Sequence, residues 1–221
     1  MCLIVFAWKI IPCTPLIVAS NRDEFYERPA TPANWWKESP HVFGGKDLQS
    51  GGTWMGVTTS TDALPHTVKF SAITNIRAPS QFRDDAPTRG ALVANYLTNQ
   101  LSAKEYIESI KDQAALYNGF NLLIGDQNDL IWFSNNTSDD ERNGQPLAPG
   151  IYGISNASLD TPWPKVVKTR AEFASLICQR APQDAFFEML SNTTQAPDCR
   201  SFPPNTWGDS FHQFAGVAGR S

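Results

Sequence analysis

Cysteine is scarce in this chain: Cys2, Cys13, Cys178 and Cys199 are the four among 221 residues. None forms a C-x-x-C pair and no spacing repeats, which excludes the common zinc patterns and a disulfide-built scaffold. Reduced thiols in a cytoplasmic protein are therefore expected. The three histidines, His41, His66 and His212, are scattered and lie in no haem-attachment motif. No metal and no cofactor is expected from such a set. Runs of like charge are missing too. The formal net charge is −4 and the pI about 5.3, so nothing favours nucleic acid or an anionic membrane surface.

Long apolar runs are also absent. Residues 1–20 (MCLIVFAWKIIPCTPLIVAS) come nearest, but Lys9 interrupts them and Pro12 and Pro15 break them. A membrane helix needs about 20 apolar residues in a row, and a secretory signal needs a basic residue before its apolar run. Neither is present, so no integral membrane span is expected. The chain has no heptads and no repeats, which leaves nothing to support a scaffold role. It has no G-x-S-x-G for a serine hydrolase. Gly51-Gly52 precedes a strand pattern rather than a helix, so it is no phosphate loop.

What the chain does have is ordinary globular composition. With 41% hydrophobic and 18% charged residues, it can build one substantial core as a single domain over 1–221. Leu3–Trp8 and Leu16–Ala19 are short apolar runs around a proline-bearing turn, the pattern of a buried β-hairpin. Val42–Gly45 and Gly51–Val57 read as two strands around a turn, and Val68–Arg77 as another. Within that last segment Val68, Phe70, Ala72 and Thr74 share one side. Helices follow. Thr88 is placed to cap Arg89–Asn99, and Ser102-Ala103-Lys104-Glu105 is a capping box. Phe120–Ile124 and Leu130–Phe133 flank a polar turn, and Ile151–Ile154 is a further strand. Trp163–Ile177 and Ala185–Leu190 read as amphipathic helices. The tail from Ser201 is irregular. Strands, helices, strands, helices is the order of an α+β protein with antiparallel sheets.

The chemistry gathers at the start. Small Cys2 favours removal of Met1, which would place a thiol and an α-amine on one residue. Their ordinary pKa values are close, at roughly 8.5 and roughly 7.7–8.0, so the amine can take the thiol proton and later return it. Read alone, Cys2 fits better as a small hydrophobe at a strand start. Its surroundings add to the case, because the hairpin carries Asn21-Arg22-Asp23-Glu24 back beside it. Arg22 can lower the thiol pKa, and Asp23 can anchor the amine. On its own the polar cluster is also readable as a solvated turn.

Three segments in order resemble the NRDE family, also called transport and Golgi organisation 2. They are Met1–Trp8, Ala19–Pro29 (ASNRDEFYERP) and Gly51–Val57 (GGTWMGV), extended by Asn118–Leu123, Gly153–Asn156 and Trp163-Pro164-Lys165. The resemblance implies an αββα four-layer sandwich of N-terminal-nucleophile hydrolase type. It also implies cleavage of a linear amide by Cys2, supported by Arg22 and Asp23. A later asparagine helps hold the oxyanion. Asn156 is the candidate for that role, with Asn75 in competition, although Asn75 also reads as a strand-end cap. The implied partner is a small amide or acyl ligand. The family's links to lipid, acyl-CoA and haem imply the alternative of a non-catalytic carrier, whose apolar pocket would be lined by Trp35 and Trp36. The family pattern closes with a Gly-Thr-Arg-Ser-like segment and two strands. This sequence reaches Ala218-Gly219-Arg220-Ser221 without them, so a sheet edge is expected to lack those strands. The sequence does not indicate an oligomeric state.

Overall fold

The first hairpin sets the frame. In a computed structural model describing residues 2–25, 27–60, 68–76, 80, 82–136 and 139–192, β1 (Leu3–Ile11) pairs antiparallel with β2 (Thr14–Asn21). Leu3 lies opposite Asn21, so the start of the chain and the polar cluster after β2 meet at one end. β9 (Gly150–Ile154) covers the other edge of β1, giving the order β2-β1-β9. β1 is therefore central, which explains its unbroken apolar run: both faces are buried. Ile4, Phe6 and Trp8 face one core, and Leu3, Val5 and Ala7 the other.

The second sheet has six antiparallel strands in chain order. They are β3 (Asn34–Trp35), β4 (Val42–Gly44), β5 (Met55–Thr58), β6 (Phe70–Asn75), β7 (Phe120–Gly125) and β8 (Leu130–Ser134). Two helices, α1 (Gly90–Thr98) and α2 (Ala103–Ile110), intervene between β6 and β7. Their buried residues Leu92, Val93, Tyr96, Leu97, Tyr106 and Ile107 pack on Phe120, Leu122, Ile124 and Ile131. The opposite face of this sheet contributes Phe70, Ala72, Leu123, Leu130 and Trp132 to a core shared with β1 and β9. Beyond β1, α3 (Pro164–Cys178) and α4 (Gln183–Leu190) add Val166, Phe173, Ile177 and Met189. The fold class is α+β with antiparallel sheets. The elements from β1 to α4 lie within one compact unit. The expectations about the tail from Ser201 and the C-terminal strands lie outside the described residues.

Some boundaries differ from the sequence reading. Gly51 and Gly52 both sit at φ +75, a left-handed conformation that ends the strand pattern, so β5 begins only at Met55. A side chain on Gly52 would lie 2.3 Å from the Gly90 carbonyl carbon. That contact docks the turn on the start of α1. Thr88 is not the cap: Arg89 occupies that position with no side-chain cap bond. Thr88 instead accepts the Ala91 N–H through its carbonyl. The Ser102–Glu105 capping box forms as read. Val68 is exposed and precedes β6, which places it off the buried side. Buried Lys69 caps the other end of α1, donating to the carbonyls of Tyr96 at 3.2 Å and Asn99 at 2.8 Å. Burial pulls its ammonium down to about 8.

One polar node stands in the apolar region between the sheets. Asn121 of β7 is buried; it accepts the Trp132 indole N–H at 3.1 Å and donates to the Thr74 hydroxyl at 3.2 Å and the Ala157 carbonyl at 2.9 Å. Replacing it orphans a buried indole donor and a carbonyl in low dielectric. Asn121→Ala is expected to lower unfolding stability by about 2–4 kcal/mol in urea titration. A loss below about 1 kcal/mol would mean that water takes over these bonds.

Candidate functional site

A cleft of about 530 Å³ opens where β1 begins and β2 and β6 end. Cys2, Arg22, Asp23, Trp54, Asn75 and Arg89 are among its lining residues. The hairpin register brings the first three together, as read from the sequence. Asn21, the first letter of the cluster, has a different task. Its amide donates to the Leu190 carbonyl at 2.7 Å and ties the end of β2 to α4.

Cys2 is half-buried, and its thiol points to the Asp23 carbonyl at 3.7 Å. Its own carbonyl accepts the Ser155 hydroxyl at 2.7 Å and the Lys165 ammonium at 3.3 Å. Burial pushes the thiol above its ordinary value, while the charges of Lys165 and Arg22 pull the other way. The result is a sheltered thiol with two cations beside it.

Arg22 stacks on Trp54, its guanidinium carbon 4.1 Å from the ring centroid, a cation–π contact that fixes the head group. It reaches Glu24 at 3.5 Å, and Glu24 reaches Arg28 at 3.5 Å. Arg28 closes on Asp47 with two bonds of 2.6 and 3.0 Å and on Ser50 at 3.1 Å. Burial raises the Asp47 carboxyl, but Arg28 and the N–H groups of Ser50 and Gln49 outweigh it and hold the group low. The charges thus form a relay along the cleft floor: Arg22, Glu24, Arg28, Asp47.

Asn156 stands one contact behind. It is buried, is not among the lining residues, and donates its amide to the Asn75 carbonyl at 2.8 Å. Asn75, its competitor in the sequence reading, does line the cleft. Trp35 and Trp36 do not. Trp36 is in the helix-side core with its indole N–H on the Gly44 carbonyl, and Trp35 packs on Phe43. Residues that sequence reading did not single out are Arg28, Asp47, Trp54, Arg89, Ser155 and Lys165. Arg28, Trp54, Ser155 and Lys165 lie inside segments that carry the family resemblance, which was their only signal. Among the described residues no cluster of three or more His, Cys, Asp or Glu could hold a metal, and no helix is long and apolar enough to cross a membrane.

Comparison with known proteins agrees with the segment resemblance. The family model for Transport and Golgi organisation 2 matches residues 1–213. A Transport and Golgi organization protein 2 homolog of Bos taurus is 36% identical over 216 residues, covering 90% of this chain and 75% of the relative. The Homo sapiens homolog is 34% identical over 220 residues, with the same coverage. Transport and Golgi organization protein 2 of Drosophila melanogaster is 32% identical over 208 residues, covering 86% and 69%.

The geometry around Cys2 carries a pH prediction. Lys165 favours the charged thiolate, so Lys165→Met is expected to move the pH profile of Cys2 alkylation upward, whereas Lys165→Arg leaves it near wild type. An unmoved profile in Lys165→Met would show that the ammonium only holds the Cys2 carbonyl.

Proposed function

The chain belongs to the Transport and Golgi organisation 2 family, and from that premise we propose that it is a hydrolase in which Cys2, exposed as the first residue by removal of Met1, cleaves a linear amide bond. The observation that carries this reading is the placement of Cys2. The thiol sits half-buried in a cleft, at the start of the central strand, beside Arg22, Asp23 and Lys165. An ordinary core cysteine has no reason to face charged groups across a ligand-sized cavity.

The layers fit the same reading. Helices, a six-stranded sheet, a three-stranded sheet and further helices share cores in that order. This supports an αββα sandwich of N-terminal-nucleophile type, although fold analogy alone does not fix a reaction. In the proposed cycle the Cys2 amine takes the thiol proton as sulfur bonds to the substrate carbonyl carbon. The carbonyl electron pair moves to oxygen. When it returns, the C–N bond breaks, and the amine's proton passes to the leaving nitrogen. Water then attacks the thioester, giving up a proton to the Cys2 amine; as the C–S bond breaks the amine passes that proton to sulfur, which frees the acid and restores the thiol. Arg22 supplies positive charge, and Asp23 anchors the amine. Asn156 is a positioning residue for the oxyanion side: it holds the end of β6, where Asn75 faces the cleft.

We place the reaction in the cytoplasm. Four cysteines in 221 residues, with no repeated spacing, suit a reducing compartment. The relatives' names refer to transport and Golgi organisation and name no reaction.

Intact mass and mapping after brief, limiting alkylation test the reading. Loss of Met1 with selective labelling at Cys2 is the expected result, and Cys2→Ala should abolish turnover of any amide found by screening. Retained Met1 or an inert Cys2 would sink the mechanism and favour the carrier of acyl-CoA, lipid or haem.

A further inference from the structure

Four arginines line the cleft, and three have settled partners. Arg22 lies on Trp54 and faces Glu24. Arg28 is held by Asp47 and Glu24. Arg83 gives its guanidinium to the carbonyls of Ala115 and Leu116. Arg89 differs. Its one hydrogen bond among the described residues is to the Gly119 carbonyl at 3.1 Å, although a guanidinium carries five N–H donors. None of the acids lining the cleft forms an ion pair with it among those residues.

The position makes this lack costly. Arg89 is partly buried; that burial and the nearby charge of Arg28 work against its charged form, and Glu24 favours it without an ion-pair contact. Asp47 is already saturated: it accepts from Arg28, Gln49 and Ser50. Glu24 is shared between Arg22 and Arg28 and also takes the Phe25 N–H. Arg89 cannot easily withdraw, because it immediately precedes Gly90, whose backbone is clamped by the Gly52 turn through the Thr53 N–H on the Gly90 carbonyl at 3.2 Å. The first turn of α1 contains no acidic residue, so the partial positive end of the helix adds to the field. A fixed, poorly compensated guanidinium in a cavity of ligand size is a recognition element for a planar oxyanion.

We propose that Arg89 is the specificity residue of a carboxylate subsite in this cleft, so that the substrate of the cysteine reaction is an amide that also carries a carboxylate. The substrate part of this proposal rests on the hydrolase reading; the subsite itself does not. Arg89 forms a two-point pair with the carboxylate and receives the direct ion-pair contact that the cleft's own acids do not make among the described residues. The reacting amide lies in the same cavity, toward Cys2.

The test titrates the protein by calorimetry with N-acetylglycine and with its uncharged amide, N-acetylglycinamide. Wild type is expected to bind the acid about tenfold more tightly, the scale of one charge-assisted pair. Arg89→Gln should lose that preference, and Arg89→Lys should keep part of it. Equal affinity for acid and amide, no binding of either, or an undiminished preference in Arg89→Gln overturns the subsite. If circular dichroism shows Arg89→Gln misfolded, Arg89→Lys decides: a preference equal to wild type overturns the two-point pair. The hydrolase reading fails on other grounds, retained Met1 or an inert Cys2, and repeating the titrations in Cys2→Ala, which cannot turn the probes over, keeps the two questions apart.

Discussion

The site depends on a short chain of buried hydrogen bonds that joins the two sheets where β1 begins. The Thr74 hydroxyl, on β6, donates to the Ser155 carbonyl at 2.7 Å; the Ser155 hydroxyl, just past β9, donates to the Cys2 carbonyl at 2.7 Å. Asn121 supports it from β7 and Asn156 extends it to the end of β6. In a low-dielectric interior such bonds are strong, and the groups are expensive to leave unpaired. Apolar packing between sheets is non-directional and tolerates sliding. The polar chain does not, and it fixes where Cys2 stands relative to the strand that carries Asn75.

A second constraint acts on the charged floor. The pairs from Arg22 to Asp47 are partly exposed, and surface ion pairs contribute little to stability, about 0–1 kcal/mol each. Their effect is geometric. Each carboxylate holds two cations or a cation and backbone donors, so Arg22 stays on Trp54 instead of sampling solvent. The Gly52–Gly90 contact does the same for the far wall, since no side chain fits there.

Much of this was legible from local pattern. The apolar run of β1, the proline-bearing turn and the abrupt polarity after β2 foretold the hairpin, and a hairpin of near-equal arms must return Arg22 and Asp23 to Cys2. The helices around Leu92–Leu97 and Val166–Ile177 were legible from periodicity. Other features depend on contacts that no local window contains. Lys165 reaches Cys2 only because α3 packs across β1, where Gly153 lets Val166 approach closely. Asn156 follows Ser155 at the end of a strand; one side chain turns to Cys2 and the other to Asn75. Gly51 and Gly52 looked like strand residues because the positive φ that defines them leaves no hydrophobic trace. The buried face of the Trp35-Trp36 pair was likewise set by pairing with β4, not by the tryptophans themselves.

The raised thiol of Cys2, a consequence of burial, is compatible with the proposed nucleophilic role. An enzyme that stores a thiolate needs cations to outweigh burial, and its sulfur is then open to oxidation at rest. A nucleophile that carries its own amine base does not store the anion. The proton leaves as the bond to carbon forms, so the resting thiol can remain neutral. Basicity then helps, because sulfur nucleophilicity rises with thiol pKa. Burial favours the neutral resting state, and Lys165 and Arg22 favour the charge that develops on attack. In the proposed reaction the two opposing influences on Cys2 therefore act at different moments.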